Sequence, residues 1–232
     1  MKISKETFAV LKNFRDLNSN ILINTGNTLK TLTPAKNVMA TATVEEEFPV
    51  EFGIWDLTSF LGTISMFDNP DFDFNDKYVN IAGSNGSTVK YYYSEPSLLT
   101  VPTKDVKMPD SVIQIELTED TFNDLKKAAA VLNLSDLSIC SNGDSITALI
   151  SDKKNTTSNT YSIDIGYNES GSEFNFDFKI DNIRIIPGTY EVSFAEKIVS
   201  EFRNKKFDLT YWVALESNSS YSSAVGSNIG VS

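Results

Sequence analysis

SKETFAVLKNFRDL (residues 4–17) has a second version further down the chain, TEDTFNDLKKAAAVL (residues 118–132). At an offset of 114, Phe8 falls on Phe122, Leu11 on Leu125 and Lys12 on Lys126. Each stretch has the period of an amphipathic helix. In the first, Phe8, Val10, Leu11 and Phe14 gather on one side, with Lys5 and Lys12 opposite. In the second, Phe122, Leu125, Ala128, Ala129 and Leu132 form the apolar side, Lys127 lies opposite and Lys126 on the flank. Ser4 suits the N-cap of the first helix. A helix that recurs predicts a domain that recurs.

The likeness continues past the helices. Ile21–Ile23 followed by NTGN, and residues 137–140 followed by SNGD, each read as a short strand running into a Gly-containing hairpin turn. FPVEFGIWDL (residues 48–57) resembles FNFDFKIDNI (residues 174–183), with Phe48 on Phe174, Phe52 on Phe178 and Ile54 on Ile180. The offset has grown to 126, as insertions in surface loops would make it. The expected unit is helix, strands, second helix, strands. It occurs twice, at 1–102 and 110–216, joined by a connector at 103–109 and followed by a mobile tail at 217–232 rich in Ser, Asn and Gly.

Composition narrows the chemistry. The 232 residues include no histidine, which removes Ser–His and Cys–His catalysis and every His-containing metal site. Cys140 is the one cysteine and reads as a small buried hydrophobe. No phosphate-cradling GxxxxGK[ST] or GxGxxG sequence is present. The start, MKISKETF, lacks the apolar core of a secretion signal, and no apolar run is long enough to span a bilayer, so a cytosolic protein is expected. The net charge of −11 by itself opposes a nucleic-acid partner, unless the positive charges are gathered in one place.

Along the chain, 28–32, 38–45 and 48–54 read as strands, and Glu45, Glu46 and Glu47 as a solvated loop or strand end. Asp56 caps a second helix over 57–66. DNPDFDFND (68–76) has the first spacings of a calcium loop but lacks its Gly and closing Glu, so an acidic hairpin is expected there and no metal. Residues 78–82 and 88–93 form a hairpin. Pro96, Pro102 and Pro109 make 94–110 an extended strap. In the second half a short helix over 182–186 carries Arg184, residues 196–206 form a charged segment, and 208–215 is the last strand.

MKISKETFAVLKNF, WDLTSFLGTISM (55–66), the proline-bearing connector and IIPGTYEV … YWVALE (185–216) together resemble the sliding clamps of T-even-type bacteriophages, relatives of the eukaryotic clamp PCNA and the bacterial polymerase β clamp. The resemblance covers nearly the whole chain except the last sixteen residues. It implies an α+β DNA clamp fold, with two similar domains each placing two helices on antiparallel sheets. It also implies a homotrimeric ring around duplex DNA with helices lining the hole, and no catalysis and no cofactor. The implied partners are the DNA polymerase, an ATP-dependent clamp loader and phage late-transcription factors, in the cytoplasm of the infected host. The candidate DNA contacts are then Lys5, Lys12, Arg15, Lys126, Lys127 and Arg184. A pocket for partner peptides falls on Tyr93, Leu98, Leu99, Val101, Trp212, Val213 and Leu215. Two other readings stay open on the residues alone: a phage structural protein of tail or capsid, and a carboxylate–metal enzyme centred on 68–76. Lysines on a polar helix face are also ordinary solubility residues. Their recurrence in so acidic a chain brings the two readings level, and the resemblance then favours a site.

Overall fold

The computed structural model describes residues 1–155, 157–196 and 198–224. In chain order the elements are α1 (Lys5–Leu17), β1 (Ile21–Ile23), β2 (Gly26–Leu32), β3 (Val38–Phe48), β4 (Phe52–Ile54), α2 (Leu57–Ile64), β5 (Asp71–Phe74), β6 (Tyr78–Ala82) and β7 (Thr88–Tyr92). There follow β8 (Ser111–Leu117), α3 (Glu119–Leu132), β9 (Asp136–Asn142), β10 (Ser145–Ser151), β11 (Tyr161–Tyr167), β12 (Glu173–Lys179), β13 (Tyr190–Ala195), β14 (Val199–Asn204), β15 (Leu209–Ala214) and β16 (Ser220–Ser222). The chain divides into two compact units. The first is Met1–Val106 with Arg184–Ile186 and Phe207–Tyr211, and the second is Lys107–Ile183 with Pro187–Lys206 and the segment from Trp212 on. Each unit thus draws on more than one stretch of sequence, where the repeat predicts two continuous blocks.

In the first unit, α1 packs against α2 and β3 through Thr7, Val10, Leu11, Phe14 and Leu17. Phe8 is only half-buried. Thr7 takes the core-facing place that the helical wheel gives to Phe8. Its hydroxyl donates to the carboxylate of Glu46, which also accepts from the Ser4 backbone N–H. Glu46 is 8% exposed, so the middle of the Glu45–Glu47 run is not solvated. It sits on β3 and ties that strand to the start of α1. Burial alone would raise its pKa, but the hydrogen bonds from Thr7 and Ser4 outweigh that and hold it below the usual carboxylate value.

β1 pairs with β4, and β2 pairs with β3. The expected hairpin between β1 and β2 does not form. Gly26, at φ +107°, adopts a backbone that side-chain-bearing residues avoid, and there the chain leaves β1 for another sheet. Asp56 accepts from the Ser59 N–H and caps α2 as expected. β5, β6 and β7 form a three-stranded antiparallel sheet, with the 82–88 turn relaxed by Gly86.

In the second unit, β11, β10, β9, β12 and β16 make one antiparallel sheet with α3 packed on β10 and β11, and β8, β13 and β14 pair antiparallel in another. The helix expected over 182–186 is absent. Ile180–Asn182 is a single 3-10 turn, residues 183–186 belong to no helix or strand, and 187–188 form a bend. Pro187 has no N–H to give a helix and disfavours helical backbone at Ile186 before it. Residues 199–204, expected as part of a charged segment, are the strand β14, where Glu201 takes hydrogen bonds from Trp212 and Arg203. The tail expected to be mobile from 217 instead supplies β16 on the edge of β12. Residues 225–232, its remainder, lie outside the described residues.

The two units repeat in register. Ile23 faces Phe52 in the first, and Leu137 faces Phe178 in the second. Those pairs are what offsets of 114 and 126 demand of the sequence.

Candidate nucleic-acid interface

Both lysine-bearing helices begin the same way. Ser4 Oγ accepts from the Thr7 N–H at 3.1 Å, and Thr118 Oγ1 accepts from the Thr121 N–H at 3.2 Å. A capped first turn satisfies an orphan donor and fixes where the helix starts. From that start, Lys5 and Lys12 stand two turns apart, about 10 Å, on the exposed side of α1. On α3, Lys127 points away from the buried residues Phe122, Leu125 and Ala129, while Lys126 lies on the flank. The Lys12 ammonium lies over the Phe8 ring at 4.6 Å from its centroid, so Lys12 stands beside Phe8 rather than opposite it as the helical wheel suggests, and the Lys126 ammonium lies over the Phe122 ring at 5.4 Å.

The arginines behave differently. Arg15 Nη2 lies 2.7 Å from the Asp16 carboxylate in a solvent-exposed pair. Arg184 is exposed on the 183–188 loop rather than on a helix. Its guanidinium donates to the Asp16 carbonyl at 3.2 Å, and its own carbonyl accepts from Asn13 Nδ2 at 2.8 Å. Asn13 also accepts from the hydroxyl of the fully buried Tyr211 at 2.7 Å. In this way the last turn of α1 gathers Arg15 and Arg184 around Asp16, a grouping that nothing in the local sequence announces.

The helices are not strongly positive. α1 carries Lys5, Lys12 and Arg15 against Glu6 and Asp16. α3 carries Lys126 and Lys127 against Glu119, Asp120 and Asp124. Acidic residues in a first turn favour the helix through its dipole, and at Glu119 and Asp120 that stabilisation comes at the expense of positive field. The faces therefore suit weak, numerous contacts to phosphates rather than tight binding.

The residues expected to receive partner peptides are described unit by unit. In the first, the 94–100 strap lies against β4. The Ser94 N–H donates to the Gly53 carbonyl, and a Cβ on Gly53 would sit 2.5 Å from the Ser94 carbonyl oxygen and 2.7 Å from Leu99 Cδ1. Asn18 Nδ2 donates to the carbonyls of Leu32 and Thr100, and Asn20 Oδ1 accepts from the Thr100 N–H. On that anchored strap Leu98 is 63% exposed, and Leu99 and Val101 are half-buried. Tyr93 packs its ring 5.1 Å from Phe52, and burial pushes its hydroxyl up to about 12. In the second unit Trp212 and Leu215 are half-buried, but Val213 is 0% exposed. Val213 is a core residue whose side chain does not face a peptide from solvent, because alternation along β15 turns it inward.

A family profile described as "gp45 sliding clamp, C terminal" matches residues 114–217. The chain is 31% identical to the sliding clamp of Vibrio phage KVP40 over 221 residues, spanning 93% of this chain and 99% of that protein. It is 27% identical to the sliding clamp of Enterobacteria phage T4 over 95% and 99% of the two chains. Among solved structures it resembles PCNA from Thermococcus kodakaraensis at a TM-score of 0.68 and 11% identity, over 93% and 99% of the chains. A PCNA2–PCNA3 complex from Sulfolobus tokodaii gives a TM-score of 0.69 at 10% identity, over 93% and 99%. The last two establish likeness of fold.

Proposed function

This chain belongs to the sliding-clamp family of T4-like bacteriophages, and from that premise we propose that three copies close head-to-tail around duplex DNA and tether the replicative DNA polymerase to it. The observation that carries the reading is the repeated helix: a hydroxyl cap (Ser4, Thr118), a phenylalanine (Phe8, Phe122) and a lysine (Lys12, Lys126) at positions 114 residues apart.

A ring with these helices on its inner wall accounts for the charge. A chain of net charge −11 repels phosphates over most of its surface, so DNA is tolerated only where Lys5, Lys12, Lys126 and Lys127 offset the acids, with Arg15 and Arg184 at the end of α1. Lysine suits sliding, because a flexible point charge follows one phosphate after another without the rigid fork of arginine. Contacts to phosphate carry no sequence information, so every position on the duplex is equivalent. Closure needs two surfaces that match between neighbours. The edge strands β7 and β11, which end their sheets, offer unpaired backbone for that purpose, with Tyr92 and Tyr167 exposed beside them.

The chain contributes no chemistry of its own in this reading. It raises the polymerase concentration at the template to the millimolar order that a short tether gives. Leu98, Leu99 and Val101 on the strap, with Tyr93 beside them, and Trp212 and Leu215 receive apolar tails of the polymerase, of an ATP-dependent clamp loader that opens the ring, and of late-transcription factors, in the host cytoplasm. The test is a primer-extension assay with the cognate polymerase and loader. Long products are expected to depend on this protein and to shorten when Lys12 and Lys126 are both changed to Ala. Product lengths indifferent to the protein would refute the reading.

A further inference from the structure

We propose that Phe8 is a positioning residue for DNA, an aromatic rest that holds the Lys12 ammonium ready for phosphate, with Phe122 doing the same for Lys126. The inference rests on the clamp reading above and adds to it a division of labour among the lysines.

The aromatic–lysine pair recurs at the same helical spacing, four residues, in both α1 and α3. That spacing places the two side chains on one face, one turn apart. The other proposed contacts have no ring at the equivalent place: Met1 precedes Lys5 by four residues, Leu11 precedes Arg15 and Asn123 precedes Lys127. The two pinned lysines are thus the two that the repeat aligns. A free lysine gives up much rotamer freedom when it settles on a phosphate. One already seated on a ring has lost part of that freedom before contact. The ring occupies one face of the ammonium, and with three donors to place the group still has N–H bonds for a phosphate oxygen.

Phe8 is the residue to test. Phe122 is 2% exposed and belongs to the core, so changing it would disturb folding. Phe8 is half-buried and borders a cleft of about 550 Å³ lined also by Ile3, Ile64 and Phe72, which leaves room for a larger ring. The series is Phe8→Leu, wild type and Phe8→Trp. Leucine keeps the apolar contact and removes the π face, while tryptophan supplies the strongest one.

The experiment tracks the loaded protein on duplex DNA by single-molecule imaging at two salt concentrations. Phe8→Leu should weaken each Lys12–phosphate contact about two- to fivefold, the part of the side-chain ordering cost that the ring has already met, and diffusion should quicken by up to that factor. Phe8→Trp should slow it. Neither should change the salt dependence, because the charge remains, whereas Lys12→Ala should reduce it. A lysine-selective NMR spectrum gives an independent reading: the Lys12 Hε signals should lie upfield from the ring current and move back in Phe8→Leu. Unchanged diffusion across the Phe8 series, with a normal Lys12→Ala effect, overturns the positioning role and leaves the clamp reading standing. No Lys12→Ala effect overturns the DNA contact itself and the inference with it.

Discussion

Changing Glu46 to Ala should unfold the protein more readily by about 2–4 kcal/mol. The carboxylate sits on β3, is 8% exposed, and accepts from the Ser4 N–H and the Thr7 hydroxyl at the start of α1. A hydrogen bond to a charged group contributes about 1.5–3 kcal/mol net, and a buried donor left without its partner costs about 1–3 kcal/mol. Two such bonds are lost, but they share one acceptor and are not additive, which sets the range. Gln in its place keeps one acceptor oxygen without the charge and should cost about half as much. Equilibrium urea unfolding at fixed protein concentration measures both, the fixed concentration being needed because assembly adds to stability. The pH dependence supplies the sign. The folded pKa of Glu46 is held below its unfolded value. Its contribution is therefore complete above the ordinary glutamate range near about 4.3, and disappears as pH falls through that range toward the folded value. The gap between wild type and Glu46→Gln should close on acidification. A loss under about 0.5 kcal/mol, the size of a surface substitution, or a gap that widens at low pH, would refute the reasoning.

Three further changes probe other parts of the fold. Asp56→Ala removes the α2 cap and should cost about 1 kcal/mol, read by thermal melting. Gly53→Ala would drive a methyl into the Ser94 carbonyl and Leu99, so about 1–3 kcal/mol of stability should go. The exchange protection of the Thr100 amide should fall with it as the strap lifts. Asp136, on β9, is buried, which alone would raise its pKa. Hydrogen bonds from the Lys179 ammonium, the Lys153 N–H and the Ser135 hydroxyl hold it low instead. Asp136→Asn should thus cost about 1–3 kcal/mol near neutrality and progressively less as the pH falls through the range of an unfolded aspartate toward the lower folded value.

Much of this architecture is legible in the residues. Periodicity finds α1, α2 and α3, because their core contacts recur every three or four positions and their caps are Ser4, Asp56 and Thr118. The aligned phenylalanines Phe52 and Phe178 take equivalent places in the two units, opposite Ile23 and Leu137. Pairing over distance is what the sequence conceals. Nothing local says that Gly26 turns β2 away from β1, or that Ser220–Ser222 returns to β12. Glu46 is written like its neighbours Glu45 and Glu47, and only the arrival of Ser4 and Thr7 distinguishes it. The same holds at the site. The exposed lysines follow from the helical wheel, but the meeting of Arg15 and Arg184 at Asp16 joins residues 168 or more positions apart. The inward turn of Val213 is hidden for a simpler reason: alternation along a strand says which residues share a face, not which face is the core.

The central claim is topological, and a retention experiment tests it most directly. The protein is loaded onto a nicked circular duplex, separated from free protein, and half of the sample is cut once by a restriction enzyme. Retention should persist on the intact circles at moderate salt, and the cut molecules should shed the protein from their ends. Equal retention on circular and linear DNA would mean that it is held by contact rather than by encirclement, and would contradict the account.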